Sequence, residues 1–202
     1  MDLRIRAANF LIRLGDLIQA LPVVVMKPDD LVMFSRKTYE KQPNLEDFSR
    51  EAFVDQGLSK DELELIDYFP SPPGDLLLLG VGGGREAIPL AKAGFRVTGV
   101  DFVRGMVERA EENALRHGVR IDGLVQDISR LEVPEASFDA IWLSKSMYSS
   151  VPTRARRVEM VRRIARALKP EGVFLCQFHW DPKIKLSREA EFAYRLVAIC
   201  TL

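Results

Sequence analysis

The sequence predicts an α/β fold: a doubly wound, mostly parallel sheet with helices on both faces, preceded by an N-terminal helical extension. Short continuous apolar runs, Leu76-Leu77-Leu78-Leu79 the clearest of them, are bounded by Gly and Pro, as suits strands buried on both faces. Helical patterns lie between these runs, so strand and helix alternate. The stretch Pro70-Ser71-Pro72-Pro73-Gly74 separates this alternating region from residues 1–69, which carry helical spacing and no strand pattern. The expected organisation is therefore a helical extension or cap over 1–69 and a core domain over 70–202.

In the extension, Leu3, Ala7, Phe10, Leu11, Leu14, Leu17, Ile18 and Leu21 recur at helical spacing. Arg6, Arg13 and Asp16 fall mostly between them, which makes an amphipathic helix that Pro22 is expected to end. With Arg4, these charges interrupt the apolar stretch too often for a transmembrane span, and no small-residue cleavage site follows for a signal peptide. Three roles are open to this helix: packing on the main domain or on a second copy in a homodimer, a lid over the site, or a membrane-surface helix. Pro28-Asp29-Asp30 opens a second helix, and Ser59-Lys60-Asp61-Glu62 reads as a capping box for a helix through Tyr68.

Strand one is Leu76 to Leu79, followed by a helix from about Arg85 to Ala93 that Gly94 stops. Strand two is Arg96 to Val100, with a helix from about Arg104 to His117 and Gly118 as its stop. Strand three is about Ile121 to Val125, and strand four is Ala140 to Leu143. A helix from Thr153 to Leu168 leads through a turn at Lys169-Pro170-Glu171-Gly172 into strand five, Val173 to Phe178, and a last helix begins near Ser187. The abrupt apolar end at Val197-Ala198-Ile199-Cys200 is read as a chain that continues naturally, or as an end that packs into something.

With 47% apolar residues, the 202-residue chain has enough material for one domain with a substantial core. Its 29 basic residues balance 29 acidic ones, so charge gives no reason to expect a nucleic-acid partner. Cys176 and Cys200 are far apart and form no Cys-x-x-Cys pair, which reads as two reduced thiols in a cytoplasmic protein. His117 and His179 are too few and scattered for a metal site, so no metal is expected.

The chemistry concentrates after strand one. The glycines of Gly80-Val81-Gly82-Gly83-Gly84 let the backbone turn sharply and come close to a ligand. Asp101, at the tip of strand two, sits where a carboxylate accepts hydrogen bonds from ribose hydroxyls. The region is thus expected to bind a nucleoside-containing cofactor. Gly82-x-Gly84-x-x-Ala87 with Asp101 satisfies a dinucleotide fingerprint, which keeps an NAD(P)-dependent oxidoreductase open as one reading.

The order and spacing of five segments point elsewhere. Leu78 to Gly84, Val97 to Phe102 with Met106 and Ala110, Val125-Gln126-Asp127-Ile128, Ser137 to Ile141, and Arg166 to Leu175 together resemble the class I S-adenosylmethionine-dependent methyltransferases. The resemblance covers about half the chain and implies a Rossmann-like sheet of strand order 3-2-1-4-5, S-adenosylmethionine as cofactor, and methyl transfer as the reaction. It further implies that Gly80, Gly82 and Gly84 approach the methionine and ribose portions, that Asp101 accepts both ribose hydroxyls, and that Phe102 and Met106 sandwich the adenine. Asp127 would take the adenine amino group, Ile128 would lie beside the ring, and Ser144 completes the cofactor set. Arg85 and Glu86, which open the first helix, are read as facing solvent, with a binding role for either as the lesser alternative. The chain departs from the family at Leu78, where an acid is usual, and it stops before the family's final antiparallel hairpin, which is expected to be absent.

Methyl transfer is a direct displacement at a carbon the cofactor activates, so the protein mainly holds the acceptor in line. A base helps only when the acceptor loses a proton. Ligands of open parallel sheets bind beyond the carboxyl ends of the strands. The acceptor-side candidates are therefore Ser144, Lys145, Ser146, Met147 and Tyr148 after strand four, and His179 and Trp180 after strand five. Lys145, Tyr148 and His179 are assigned to the substrate, and Tyr148 or His179 to catalysis. No Asn/Asp-Pro-Pro-Tyr and no Pro-Cys follows strand four, and the arginines from Arg154 to Arg166 read as a solvated helix face, which leaves a small-molecule acceptor. Its pocket is expected to draw partly on residues 1–69. A non-catalytic cofactor-binding or scaffold protein is the third reading.

Overall fold

The computed structural model describes residues 3–178. They fall in two compact units, one that includes the residues up to Leu31 and one that begins at Val32. The unit that holds the sheet thus starts upstream of the boundary expected at 69/70. In the first unit, helix α1 (Leu3–Val25) runs on past Pro22, where the sequence predicted a stop. A proline within the last turn removes one hydrogen bond and leaves few residues beyond it to disrupt. No described helix is long and apolar enough to cross a membrane.

Helix α2 (Pro28–Tyr39) opens on Pro28 with Asp29 and Asp30 in its first turn, as expected. Two helices the sequence did not reveal follow, α3 (Gln42–Ser49) and α4 (Glu51–Val54). Helix α5 (Lys60–Ile66) carries the expected capping box: the Ser59 hydroxyl accepts from the Glu62 amide at 3.3 Å, and Glu62 Oε2 accepts from the Ser59 amide at 2.8 Å.

The sheet contains β1 (Asp75–Leu79), β2 (Arg96–Asp101), β3 (Asp122–Val125), β4 (Phe138–Leu143) and β5 (Leu168–Cys176). All neighbours pair in parallel, in the order β3-β2-β1-β4-β5. This is the Rossmann-like order. The strands are linked through α6 (Ala87–Lys92), α7 (Arg104–Arg116), α8 (Met147–Ser150) and α9 (Arg154–Ala167). The turn expected at Lys169-Pro170-Glu171-Gly172 lies inside β5. Glu171 takes φ 65°, and the register slips between Phe138↔Leu168 and Ala140↔Val173. The extra residues are absorbed as a bulge while pairing continues on both sides.

Period-2 alternation divides the β1 leucines between two cores. Leu76 and Leu78 face α6 and α7 with Val97, Val107, Ala110 and Trp142, and Val54 and Phe69 from before the sheet join them. Leu77 and Leu79 face α9 with Ile141, Leu143, Met160 and Ile164. All four leucines are fully buried, each contributing roughly 1.5–3 kcal/mol of hydrophobic stabilisation. At the amino ends of the strands, Lys169 Nζ bridges Asp75 (3.0 Å) and Asp139 (2.8 Å), and Arg96 pairs with Asp75 at 2.7 Å. These ions lie opposite the strand tips, where the site forms.

Candidate functional site

The carboxyl ends of β1 to β4 open into a cavity of about 380 Å³. Gly80, Val81, Gly82 and Gly83 follow β1 along its floor. Asp101, Phe102, Val103 and Met106 line it from β2 and α7, Gln126, Asp127 and Ile128 after β3, and Ser144 to Met147 after β4. Of the expected cofactor-binding residues, Gly80, Gly82, Asp101, Phe102, Met106, Asp127, Ile128 and Ser144 all line it. Gly84 does not. A Cβ there would make only ordinary contact with Ile88 and Ala110 at 3.4–3.5 Å, and it is the left-handed backbone, φ 96°, that favours glycine at this position.

Asp101 is held between two backbone donors. Its Oδ1 accepts from the Val103 amide at 3.0 Å and its Oδ2 from the Gly82 amide at 3.2 Å. Burial pushes its carboxyl up, and amides of Val103, Gly82 and Phe102 pull against that. Gly82, at φ 50°, has nothing within 4 Å of where a Cβ would stand, so its left-handed backbone and open face keep this stretch clear for a ligand. Asp127 both lines the cavity and caps the 3-10 turn Ile128–Arg130, its Oδ1 accepting from the Ser129 amide at 2.8 Å.

Glu86 and Arg85 do not face solvent, contrary to expectation. Glu86 is 6% exposed, lines the cavity, and accepts from the Ser144 hydroxyl at 3.2 Å and from the Arg85 guanidinium. Arg85 forks onto both oxygens of Glu62 at 2.8 Å each and also donates to the Gly57 carbonyl at 2.7 Å. Burial raises the Glu62 carboxyl, but the hydrogen bonds from Arg85 and Ser59 outweigh it and bring it down to about 2. Glu86 goes the other way: desolvation pushes it up, against the pull of Arg85. The capping box had marked Glu62 as a local helix signal, but nothing in the local pattern tied it to Arg85, 23 residues on.

The second wall comes from the helices before the sheet. Val32, Ser35 and Tyr39 on α2, Phe48 on α3 and Phe53 on α4 line the cavity, with Val151 and Pro152 beyond α8. Their rings form a chain: Tyr39–Phe48 at 5.9 Å, Phe48–Phe53 at 5.7 Å, and Tyr39–Phe102 at 6.4 Å between centroids. This wall is pinned to the glycine loop. Asn113 Nδ2 donates to both the Ser49 carbonyl (3.2 Å) and the Gly83 carbonyl (2.8 Å).

Of the acceptor-side candidates, Lys145 lines the cavity and is exposed. Tyr148 lies outside the lining. The residue is 39% exposed, and its ring sits beneath the Arg157 guanidinium at 5.6 Å. His179 and Trp180 lie outside the described residues. Leu78, where an acid was missed, is fully buried against the α6–α7 side of the sheet and reaches no part of the cavity.

A carboxylate at the tip of the second strand, next to a glycine loop on an order-3-2-1-4-5 sheet, is the geometry of a nucleoside-cofactor site, and the comparisons name which one. Residues 76–172 match the family described as a methyltransferase domain. The domain belongs to the class I S-adenosylmethionine-dependent methyltransferases. The chain is 33% identical over 126 residues to the S-adenosyl-L-methionine-dependent Diels-Alderase iccD of Talaromyces variabilis, covering 60% of this chain and 42% of that one. It is 36% identical over 112 residues to the 27-O-demethylrifamycin SV methyltransferase of Amycolatopsis mediterranei, covering 54% and 40%. Among solved structures, the PH0226 protein of Pyrococcus horikoshii superposes with a TM-score of 0.57 at 25% identity, over 70% of this chain and 65% of that one. The chain spans about two fifths of the length of the two curated relatives. The methyltransferase match begins at the first leucine pair of β1 and stops inside β5, so helices α1 to α5 lie outside it.

Proposed function

We propose that the chain is an S-adenosylmethionine-dependent methyltransferase that acts on a small, largely apolar acceptor. One observation carries this reading: the partly buried Asp101 carboxylate opens beside the glycine loop into a cavity whose facing wall is aromatic and aliphatic. The cavity residues fit the cofactor. Asp101 takes the ribose hydroxyls, Phe102, Met106 and Ile128 enclose the adenine, and Asp127 meets its amino group. Gly80 and Gly82 let the amino-acid portion lie on the loop.

The bound cofactor supplies an activated methyl group. The chain's own residues do the rest: they exclude water and hold the acceptor in line. Tyr39, Phe48, Phe53, Met147 and Val151 give it an apolar surface, and Lys145 and Ser146 stand at its rim. A relative named for 27-O-demethylrifamycin SV supports a small-molecule acceptor. A relative named as a cofactor-dependent Diels-Alderase favours a second reading, in which the loaded site folds an apolar substrate without transferring the methyl group.

Calorimetric titration with S-adenosylhomocysteine, with NADH and NADPH alongside, tests the cofactor. Saturable binding of the first alone, lost in Asp101→Ala, is the expected result; binding of a nicotinamide instead overturns the reading. Transfer of labelled methyl from S-adenosylmethionine to an apolar acceptor separates methyl transfer from the cyclase reading.

A further inference from the structure

We propose that Glu86 is the counter-charge for the ammonium group at the amino-acid end of the cofactor. The inference rests on the methyltransferase reading and deepens it. Strand order fixes the direction of the ligand. Asp101 stands at the tip of β2, and the groups that suit the base, Gln126, Asp127 and Ile128, stand after β3. With the ribose at Asp101 and the base toward β3, the amino-acid end must lie across β1 toward β4. The residues waiting there are Gly80, Ser144 and Glu86.

Charge balance supplies a second reason. Glu62, Arg85 and Glu86 form one connected group of two carboxylates and one guanidinium. Arg85 spends its bidentate fork on Glu62 and gives Glu86 a single contact. With both carboxylates ionised the group has one negative charge more than positive, and the less well paired one, Glu86, is 6% exposed and lines the cavity. A buried carboxylate without a full counter-ion is costly, and a ligand ammonium placed against it removes that cost. Burial, with the nearby Glu62 charge, pushes the Glu86 carboxyl up against the pull of Arg85, so a second cation beside it would favour the ionised form. The other carboxylates lining the cavity stand elsewhere: Asp101 is held by the Gly82 and Val103 amides at β2, and Asp127 caps the turn after β3, while Lys145 and Arg85 are themselves cations. Position 78 cannot supply the charge, since Leu78 is buried in the core.

The test is calorimetric titration of the full chain and of Glu86→Gln with three probes: S-adenosylmethionine, S-adenosylhomocysteine and 5′-methylthioadenosine. The first two carry the ammonium, only the first carries the sulfonium, and the third lacks the amino-acid portion. The expected result is a loss of at least about tenfold for both amino-acid-bearing probes, with the third unchanged and the thermal midpoint preserved. Glu86→Asp should recover part of the loss. A loss confined to S-adenosylmethionine would assign the charge to the sulfonium and overturn the proposal. Equal losses for all three, or none, would overturn it as well. A wild-type chain that binds none of the probes overturns the cofactor reading itself, a separate outcome read before any variant.

Discussion

Replacing Gly83 by Ala should destabilise the protein through a contact that has nothing to do with ligand. A Cβ at Gly83 would stand 2.3 Å from the Phe48 carbonyl oxygen and 2.6 Å from the Ser49 α-carbon, both backbone atoms of α3. Carbon–oxygen approach ordinarily stops at about 3.3 Å, so the end of α3 must retreat by roughly 1 Å. That retreat carries the Ser49 carbonyl away from Asn113 Nδ2, now 3.2 Å off, beyond hydrogen-bonding reach. Overpacking of this kind costs about 1–3 kcal/mol and the lost buried hydrogen bond about 1 more, offset by up to about 1 kcal/mol from a stiffer unfolded chain. The net loss, about 1–4 kcal/mol, corresponds to a fall in Tm of roughly 2–16 °C for a chain of this size. Urea denaturation with an unchanged slope, and a thermal scan, would measure it. The double variant with Asn113→Ala should lose less than the sum of the two single changes, because both act on one contact. A Gly83→Ala chain with a Tm at or above wild type would refute the reasoning. Gly82→Ala is the internal contrast: its Cβ meets nothing within 4 Å, so its cost is the left-handed backbone alone, about 1–2 kcal/mol, with no coupling to Asn113.

Three further outcomes are expected. Glu62 is held down to about 2 from an ordinary 4.5, so its contribution is present above the ordinary range and lost as pH falls from 4.5 toward 2. Wild type should shed on the order of 3 kcal/mol more than Glu62→Gln over that window, and matching acid limbs in pH-dependent denaturation would count against the Arg85 clamp. Tyr148→Phe should leave kcat within about twofold of wild type, since the ring sits under Arg157 outside the cavity; a tenfold loss would return Tyr148 to the catalytic set. Leu77→Ala, at a fully buried position facing α9, should cost about 2–5 kcal/mol in chemical denaturation, and a loss under about 1 would mean the strand's two faces are wrongly assigned.

The sheet was legible because its strands announce themselves locally. Leu76 to Leu79 is buried on both sides, so its apolar run is unbroken, and glycines and prolines mark where it starts and stops. The parts misread are those where tertiary pairing overrode a local signal. Pro170 and Gly172 read as a turn, yet β4 holds them in register by way of a bulge at Glu171. Helices α3 and α4 escaped notice because each is short, eight and four residues, and only their contacts with the sheet domain sustain them.

The site shows the same division more sharply. Asp101 and Gly82 are 19 residues apart, but both sit at the tips of adjacent parallel strands, so strand order alone brings them together. Glu86 could not be read this way. Its partner Ser144 is 58 residues downstream, and its helix, expected from about Arg85, begins at Ala87, so Glu86 stands at the N-cap just before the helix and lines the cavity. Nor does the sequence separate four glycines that look alike. Gly80 stands against the Met147 side chain, Gly82 leaves open space, Gly84 is set by its left-handed backbone, and Gly83 admits the backbone of α3, 34 residues upstream of it. A glycine-rich loop after a strand therefore states that something comes close. Only the packing states whether that something is a ligand or another part of the chain: both Gly82 and Gly83 line the cavity, but the space of a side chain is filled by α3 at Gly83 and left open at Gly82.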